Sequence, residues 1–207
     1  RRVLFRSGGM TKLGAGTLTL SGQNTYTGQT TVNAGTLALA GGDHTLAANQ
    51  ALVVNNGASL NLGATRQYVG NFSSTGGVEG SGGTVTGSSA TLTARLGASQ
   101  TFAGSIQGSV NLVLTNTGAN SYALTLVSPN PTTGTVSVVG GSMSVTSSTV
   151  PSGGLTLSDG GTLTGVGGIT IGYSALTLGN TGTKDVADRV NDAAPITMNG
   201  GLDRKST

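Results

Sequence analysis

The chain alternates between apolar and polar residues in short bursts. GTLTL (16–20), GTLAL (35–39) and ASLNL (58–62) each put an apolar side chain at every second position. Weaker copies are ATLTA (90–94), GLTLS (154–158) and ALTLG (175–179). Strict alternation predicts a strand with one buried face, because successive side chains leave a pleated backbone on opposite sides. Leu18 and Leu20 then point inward, and Thr17 and Thr19 point outward, where β-branched residues suit a pleated surface. Gly, Asn or Ser breaks each burst on both sides, so the strands are short and the turns frequent. The first three bursts start 19 and then 23 residues apart. That period matches a solenoid, in which each coil contributes a strand and stacks on the next.

A longer repeat supports this reading. Residues 18–39 align without a gap on residues 124–145, at an offset of 106. Leu18, Leu20, Asn24, Gly28, Val32 and Gly35 fall on Leu124, Leu126, Asn130, Gly134, Val138 and Gly141. Leu37 and Leu39 fall on Met143 and Val145. Residues 52–60 align on 155–163, so Leu60 has Leu163 as its counterpart. The expected core is Leu18, Leu20, Val32, Leu37, Leu39, Leu60, Leu62, Leu124, Leu126, Val138, Met143, Val145, Leu155, Leu157 and Leu163. The expected turn residues are Gly16, Asn24, Gly28, Gly35, Asn130, Gly134 and Gly141, with glycine supplying the positive φ that tight corners demand. Two repeat units follow, 8–110 and a degenerate 111–202, in one solenoid. About 20 residues per coil predicts roughly nine coils.

Composition narrows the class further. The 207 residues include 37 Gly, no Cys and no Trp, and 8% are charged. A disulfide framework and a cysteine zinc site are excluded. Gly, Thr, Ser and Asn are poor helix formers, which points to an all-β chain. No apolar run reaches the length of a membrane-spanning helix. The formal charge of +3 and pI of about 9.6 invite a nucleic-acid reading. The charge distribution opposes it. Arg1, Arg2, Arg6, Arg204 and Lys205 lie in the two ends, and the body from 8 to 202 carries five positive and six negative side chains. The opening RRVLFRS (1–7) and closing DRKST (203–207) resemble translated sequencing adaptor, so both are read as non-native flanks. Without a basic stripe, nucleic acid is not an expected partner.

Residues 11–39 also carry a family resemblance. The pieces GAGTLTLSG (14–22), NTYTG (24–28) and TTVNAGTL (30–37) closely resemble the autotransporter-associated β-strand repeat of bacterial autotransporter passengers and other large exported surface proteins. The second unit departs from it. Pro129 and Pro131 flank Asn130 where the first has Gln23 and Thr25, and Thr132 replaces Tyr26. APITMNGG (194–201) looks like the lead-in to a further strand of such proteins. The resemblance implies a right-handed single-stranded parallel β-helix, uncapped at both ends, on a cell surface or in secreted material.

Candidate chemistry is sparse. The body's acids are Asp43, Glu79, Asp159, Asp185, Asp188 and Asp192, and His44 is the one histidine. A polysaccharide-cleaving β-helix needs carboxylates converging in one groove. Here each acid reads as a turn residue bonding nearby backbone. No nucleotide-binding or nucleophile-elbow motif is present. No catalytic, cofactor or metal residues are expected. Thr-x-Thr pairs at Thr17/Thr19, Thr84/Thr86, Thr91/Thr93 and Thr162/Thr164 read as outward strand surface, too irregularly spaced for an ice-binding ladder. KDVADRVND (184–192) reads as a short helix or solvated loop. Tyrosines are expected at corners and rims, and Phe72 and Phe102 in the core or as coil caps. The function that follows is a non-enzymatic stalk that extends or presents other regions and contributes to adhesion. Neighbouring coils are its first partners, and cell-surface glycans or proteins are candidate external ones. No membrane contact is expected of the segment itself. A carbohydrate-active β-helix enzyme is the alternative.

Overall fold

The computed structural model describes the backbone at residues 8–116, 122–139, 142–145, 155–158, 162–164, 169–172, 176–179 and 196–199, and side chains as far as residue 143. Among the described residues there is no helix. Every strand pairing is parallel. The chain winds as a β-solenoid.

The first coil carries β1 (Met10–Lys12) and β2 (Thr17–Leu20), and the second β3 (Thr30–Val32) and β4 (Gly35–Leu39). The third carries β5 (Leu52–Val54), β6 (Ala58–Asn61) and β7 (Arg66–Val69). The fourth has β8 (Phe72–Ser73) and the long β9 (Thr84–Leu96), the fifth β10 (Gln100–Phe102) and the long β11 (Ser105–Asn116). The sixth has β12 (Ala123–Leu126) and β13 (Val136–Val139). Beyond it come β14 (Ser142–Val145), β15 (Leu155–Ser158), β16 (Thr162–Thr164), β17 (Ile169–Gly172), β18 (Leu176–Gly179) and β19 (Ile196–Asn199).

These strands stack on three sides. The first side is β1-β3-β5-β8, continued by β10-β12-β14-β16. The second is β2, β4 and β6, joined by the first part of β9 and then of β11. The third starts with β7 on Thr91–Ala94 of β9, then takes the second part of β11, β13, β15 and β18. β9 and β11 therefore turn a corner mid-strand. Ser89 takes φ 61° there and Gly108 φ 73°, and the β9–β11 register shifts between Ser109 and Val110.

The 19- and 23-residue steps read from the sequence are the observed registers Thr17↔Thr36 and Gly35↔Ala58. Later steps vary between 19 and 25 residues, with Ser59 opposite Thr84, Thr84 opposite Ser105 and Val136 opposite Leu155. The solenoid makes about six turns rather than the roughly nine expected.

The internal repeat has a different basis from the one expected. Leu18 and Leu20 lie on the second side, whereas Leu124 and Leu126 lie on the first. Val32 lies on the first side and Val138 on the third. Each aligned pair is displaced by one side of the coil. Short alternating strands fit any side, so the alignment preserves in-out phase without preserving position. Local geometry does persist: Asn24 and Asn130 each donate from Nδ2 to the carbonyl two residues back, at 2.9 and 2.6 Å.

Inside, in-register columns form the core. Leu37, Leu60, Val85 and Ile106 succeed one another on the second side, all essentially fully buried. Leu112, Leu114, Val136 and Val138 continue the core on the third. Each such burial contributes about 1.5–3 kcal/mol. Leu18 is the exception among the expected core residues whose side chains are described. It sits in register with Leu37 but is 37% exposed, because β2 ends its stack and has a neighbour on one side only. The side chains of Val145, Leu155, Leu157 and Leu163 lie outside the described residues, although their backbones pair in register. Phe72 and Phe102 are buried as expected and meet at a 4.4 Å centroid distance where the first side changes from β8 to β10. Tyr26 is buried too, contrary to the expectation of a rim tyrosine. Its hydroxyl reaches Thr30 Oγ1, which allows the ring to turn inward.

The turn glycines divide by cause. Gly35 has φ +64° and adjoins the preceding coil's backbone. Gly28 and Gly134 have no such φ but touch the preceding coil: a Cβ would stand 2.5 Å from Gly9 N and 2.1 Å from Val110 O, respectively. Gly16 has neither constraint, so glycine is not required there. Gly141 lies outside the described residues, as do 1–7, 184–192 and 203–207. Gly134→Ala is expected to destabilise by about 1–3 kcal/mol through overpacking, and Gly16→Ala to stay within about 0.5 kcal/mol of the parent, both read from urea unfolding.

Candidate functional site

Where a coil lacks a strand, side chains take over the inter-coil hydrogen bonding. Some backbone groups there still pair directly, as His44 N does with Arg66 O at 2.9 Å, and side chains serve others. In the second coil the third side is a loop rather than a strand. Buried Gln67 from the next coil fills the gap: its Oε1 accepts from Leu46 N at 2.9 Å, and its Nε2 donates to Gly42 O and Thr65 Oγ1. Asp43 Oδ1 accepts from Arg66 N at 2.7 Å in the same region. The Asp43–Arg66 ion pair, at 4.0 Å with both side chains exposed, adds little.

The sixth coil repeats the device on the second side. Pro129 and Pro131 have no N–H to offer a ladder. Asn130, buried between them, accepts from Ile106 N at 2.9 Å through Oδ1. Thr132 Oγ1 donates to Val110 O at 2.8 Å. Ser128 Oγ donates to Ala103 O and accepts from Gly80 N, pinning the loop that precedes β9. The substitutions that mark the second unit as degenerate thus build a side-chain substitute for a strand.

Lys12 is buried, and among the described residues it has no counter-ion. It faces inward, in register with Val32 and Val54. Its ammonium donates to the carbonyls of Leu13, Gly14 and Ala34 at 2.9, 2.7 and 3.0 Å. The aliphatic stem joins the core while the charge is held by the corner.

The acids do not converge in either of two depressions formed by described residues. Glu79 lines one of about 380 Å³ with Ser105, Ser128 and Pro129, and neither Asp43 nor His44 lines it. His44 is exposed in its loop with φ 56°. Among the described residues no group of three or more His, Asp or Glu could hold a metal. Asp159, Asp185, Asp188 and Asp192 lie outside them. A second depression of about 480 Å³ lies beside Thr36, Asn56 and Ser59, and the two share Gly82, Gly83 and Thr84.

Sequence reasoning missed Lys12, Gln67, Ser128, Asn130 and Thr132 as buried polar groups. A polar side chain in a short alternating segment reads as outward. The available signal was the pair of prolines, which demand an alternative donor.

Short parallel strands, close corners and side-chain patches define a β-solenoid repeat protein. Residues 10–39, from the start of β1 to the end of β4, match the family model of the passenger-associated-transport-repeat, and this stretch fits an autotransporter passenger repeat. No curated protein and no solved structure matches the chain. The matched stretch contains both partners of two ladders, β1 with β3 and β2 with β4. A single repeat therefore holds its own first stacking contacts.

Asn130→Ala leaves Ile106 N–H without its acceptor. The expected cost is about 1–3 kcal/mol, with faster hydrogen exchange at that amide. Burial raises the Tyr26 phenol above its ordinary 10.0, against smaller opposing effects of its bonds to Thr30 and the Ala47 backbone. Above pH 10.0 the unfolded chain releases a proton that the native state keeps, so stability falls as pH rises from there towards the native value. Tyr26→Phe should flatten that fall relative to the parent in denaturant melts across alkaline pH.

Proposed function

We propose that this segment is a non-enzymatic structural rod of an exported bacterial surface protein, built to extend or present other regions and to contribute to adhesion. The supporting observation is the match of residues 10–39 to a passenger-associated repeat, embedded in a stack of parallel strands. Added coils lengthen such a stack by about 4.8 Å each without changing its cross-section. The cell surface, or secreted material, is the location this reading assigns.

Display tests it. The chain is fused between an N-terminal epitope tag and an outer-membrane β-barrel translocator. The expected outcome is a tag reached by antibody on intact cells, with the solenoid intact under added protease. Retention inside the outer membrane, or rapid surface proteolysis, contradicts the proposal. In a parallel screen on acidic and neutral glycans no turnover is expected, and turnover lost in Asp43→Ala contradicts the non-enzymatic part.

A further inference from the structure

The second side of the solenoid carries an ordered outward column. Thr17, Thr36, Ser59, Thr84 and Ser105 stand opposite one another across five successive coils. At the strand spacing of about 4.8 Å they form a straight line of hydroxyls. Four of the five, Thr36 to Ser105, line the two depressions that share Gly82, Gly83 and Thr84. The two depressions adjoin at Gly82, Gly83 and Thr84, and together they make a shallow trough along the column, about 14 Å from Thr36 to Ser105.

Three further features give the trough its character. Its floor beside the column is backbone, because the corner has no room for side chains: a Cβ on Gly83 would stand 2.5 Å from Asn55 O, and one on Gly104 1.9 Å from Gly83 O. Among the described residues, the hydroxyls of Thr36, Ser59 and Thr84 have no protein partner. That contrasts with Ser105, which donates to Pro129 O, and with the neighbouring Asn33–Asn55 pair at 2.6 Å. One end is walled by the loop before β9, held in shape by Ser74 Oγ on Gly76 O, Ser81 Oγ on Val78 O and Gly80 N on Ser128 Oγ. The trough's one charged lining group is Glu79, in that loop.

We infer that this trough binds a neutral polysaccharide chain laid along the solenoid axis, a role that goes beyond the rod function and does not depend on it. Hydroxyls both donate and accept, so a line of them suits a ligand that presents hydroxyls of both kinds. The same pair of donor and acceptor functions recurs at every coil, about 4.8 Å apart, which suits a polymer that presents hydroxyls all along its length. An extended peptide advances about 3.4 Å per residue and falls out of step. Nucleic acids and acidic glycans are disfavoured, since the trough offers no cation and carries a carboxylate. Individual contacts are weak without an aromatic platform, and affinity comes from repetition along the stack.

Affinity electrophoresis of the full chain tests this, with gels containing soluble neutral glucans, mannans or galactans and a polygalacturonate gel for comparison. At least one neutral polymer should retard the chain more than polygalacturonate does. Thr36→Val/Thr84→Val keeps shape and strand propensity but removes two hydroxyls, and should weaken the retardation about tenfold. Thr31→Val/Thr125→Val, on the first side, should match the parent. The inference is overturned if no neutral polymer retards the chain, if polygalacturonate is held more tightly, or if both double variants behave alike. Retardation can fail while surface display succeeds, so the two readings stand or fall separately.

Discussion

Backbone hydrogen bonding between successive coils is the constraint on which the rest of this structure depends. A strand of three to five residues cannot bury its apolar face alone, and its amides need partners on both sides. Stacking answers both needs only if the coils approach to strand spacing all the way round, corners included. That requirement explains why Gly28 and Gly134 lie against the preceding coil's backbone at distances that admit no side chain. It also explains the buried polar side chains. Gln67 of β7 faces a stretch that lacks a strand, Asn130 and Thr132 stand in one, and each bonds backbone groups that a strand would have served. A polar group in the core is tolerated because leaving those backbone groups unpaired costs more.

The same constraint accounts for what the sequence shows and what it hides. Strand positions are legible because alternation is imposed by burial on one face, and the 19- and 23-residue steps are the true registers. The side of the coil on which a strand lies is not legible. Leu18 and Leu124 share a pattern yet occupy different sides, since each side asks for the same short apolar-polar alternation. Coil length is equally hidden, because corners absorb insertions such as the loop before β9 without disturbing the ladder. Tyr26 and Lys12 defeat pattern reading for a third reason: each buries most of its bulk and satisfies its polar tip locally.

The proposed function rests on the regularity of the stack. The matched repeat spans both partners of its first two ladders, so it carries the instructions for one stacking step within itself. Repetition of such units gives length at constant width, which suits an exported rod. It also aligns outward side chains without further design. Column order on the second side is a by-product of register, and the hydroxyl line from Thr17 to Ser105 inherits its straightness from the backbone.

The central claim is the parallel register between coils, and paired cysteines test it most directly in a chain that has none. Thr31 and Val53 are outward neighbours on consecutive coils, as are Thr101 and Thr125, while Thr11 and Val53 are two coils apart. Under mild oxidation the account predicts rapid cross-linking of Thr31→Cys/Val53→Cys and Thr101→Cys/Thr125→Cys, abolished in denaturant, and none for Thr11→Cys/Val53→Cys. Cross-linking at equal rates in all three pairs, or only in the last, would contradict the stacked-coil structure.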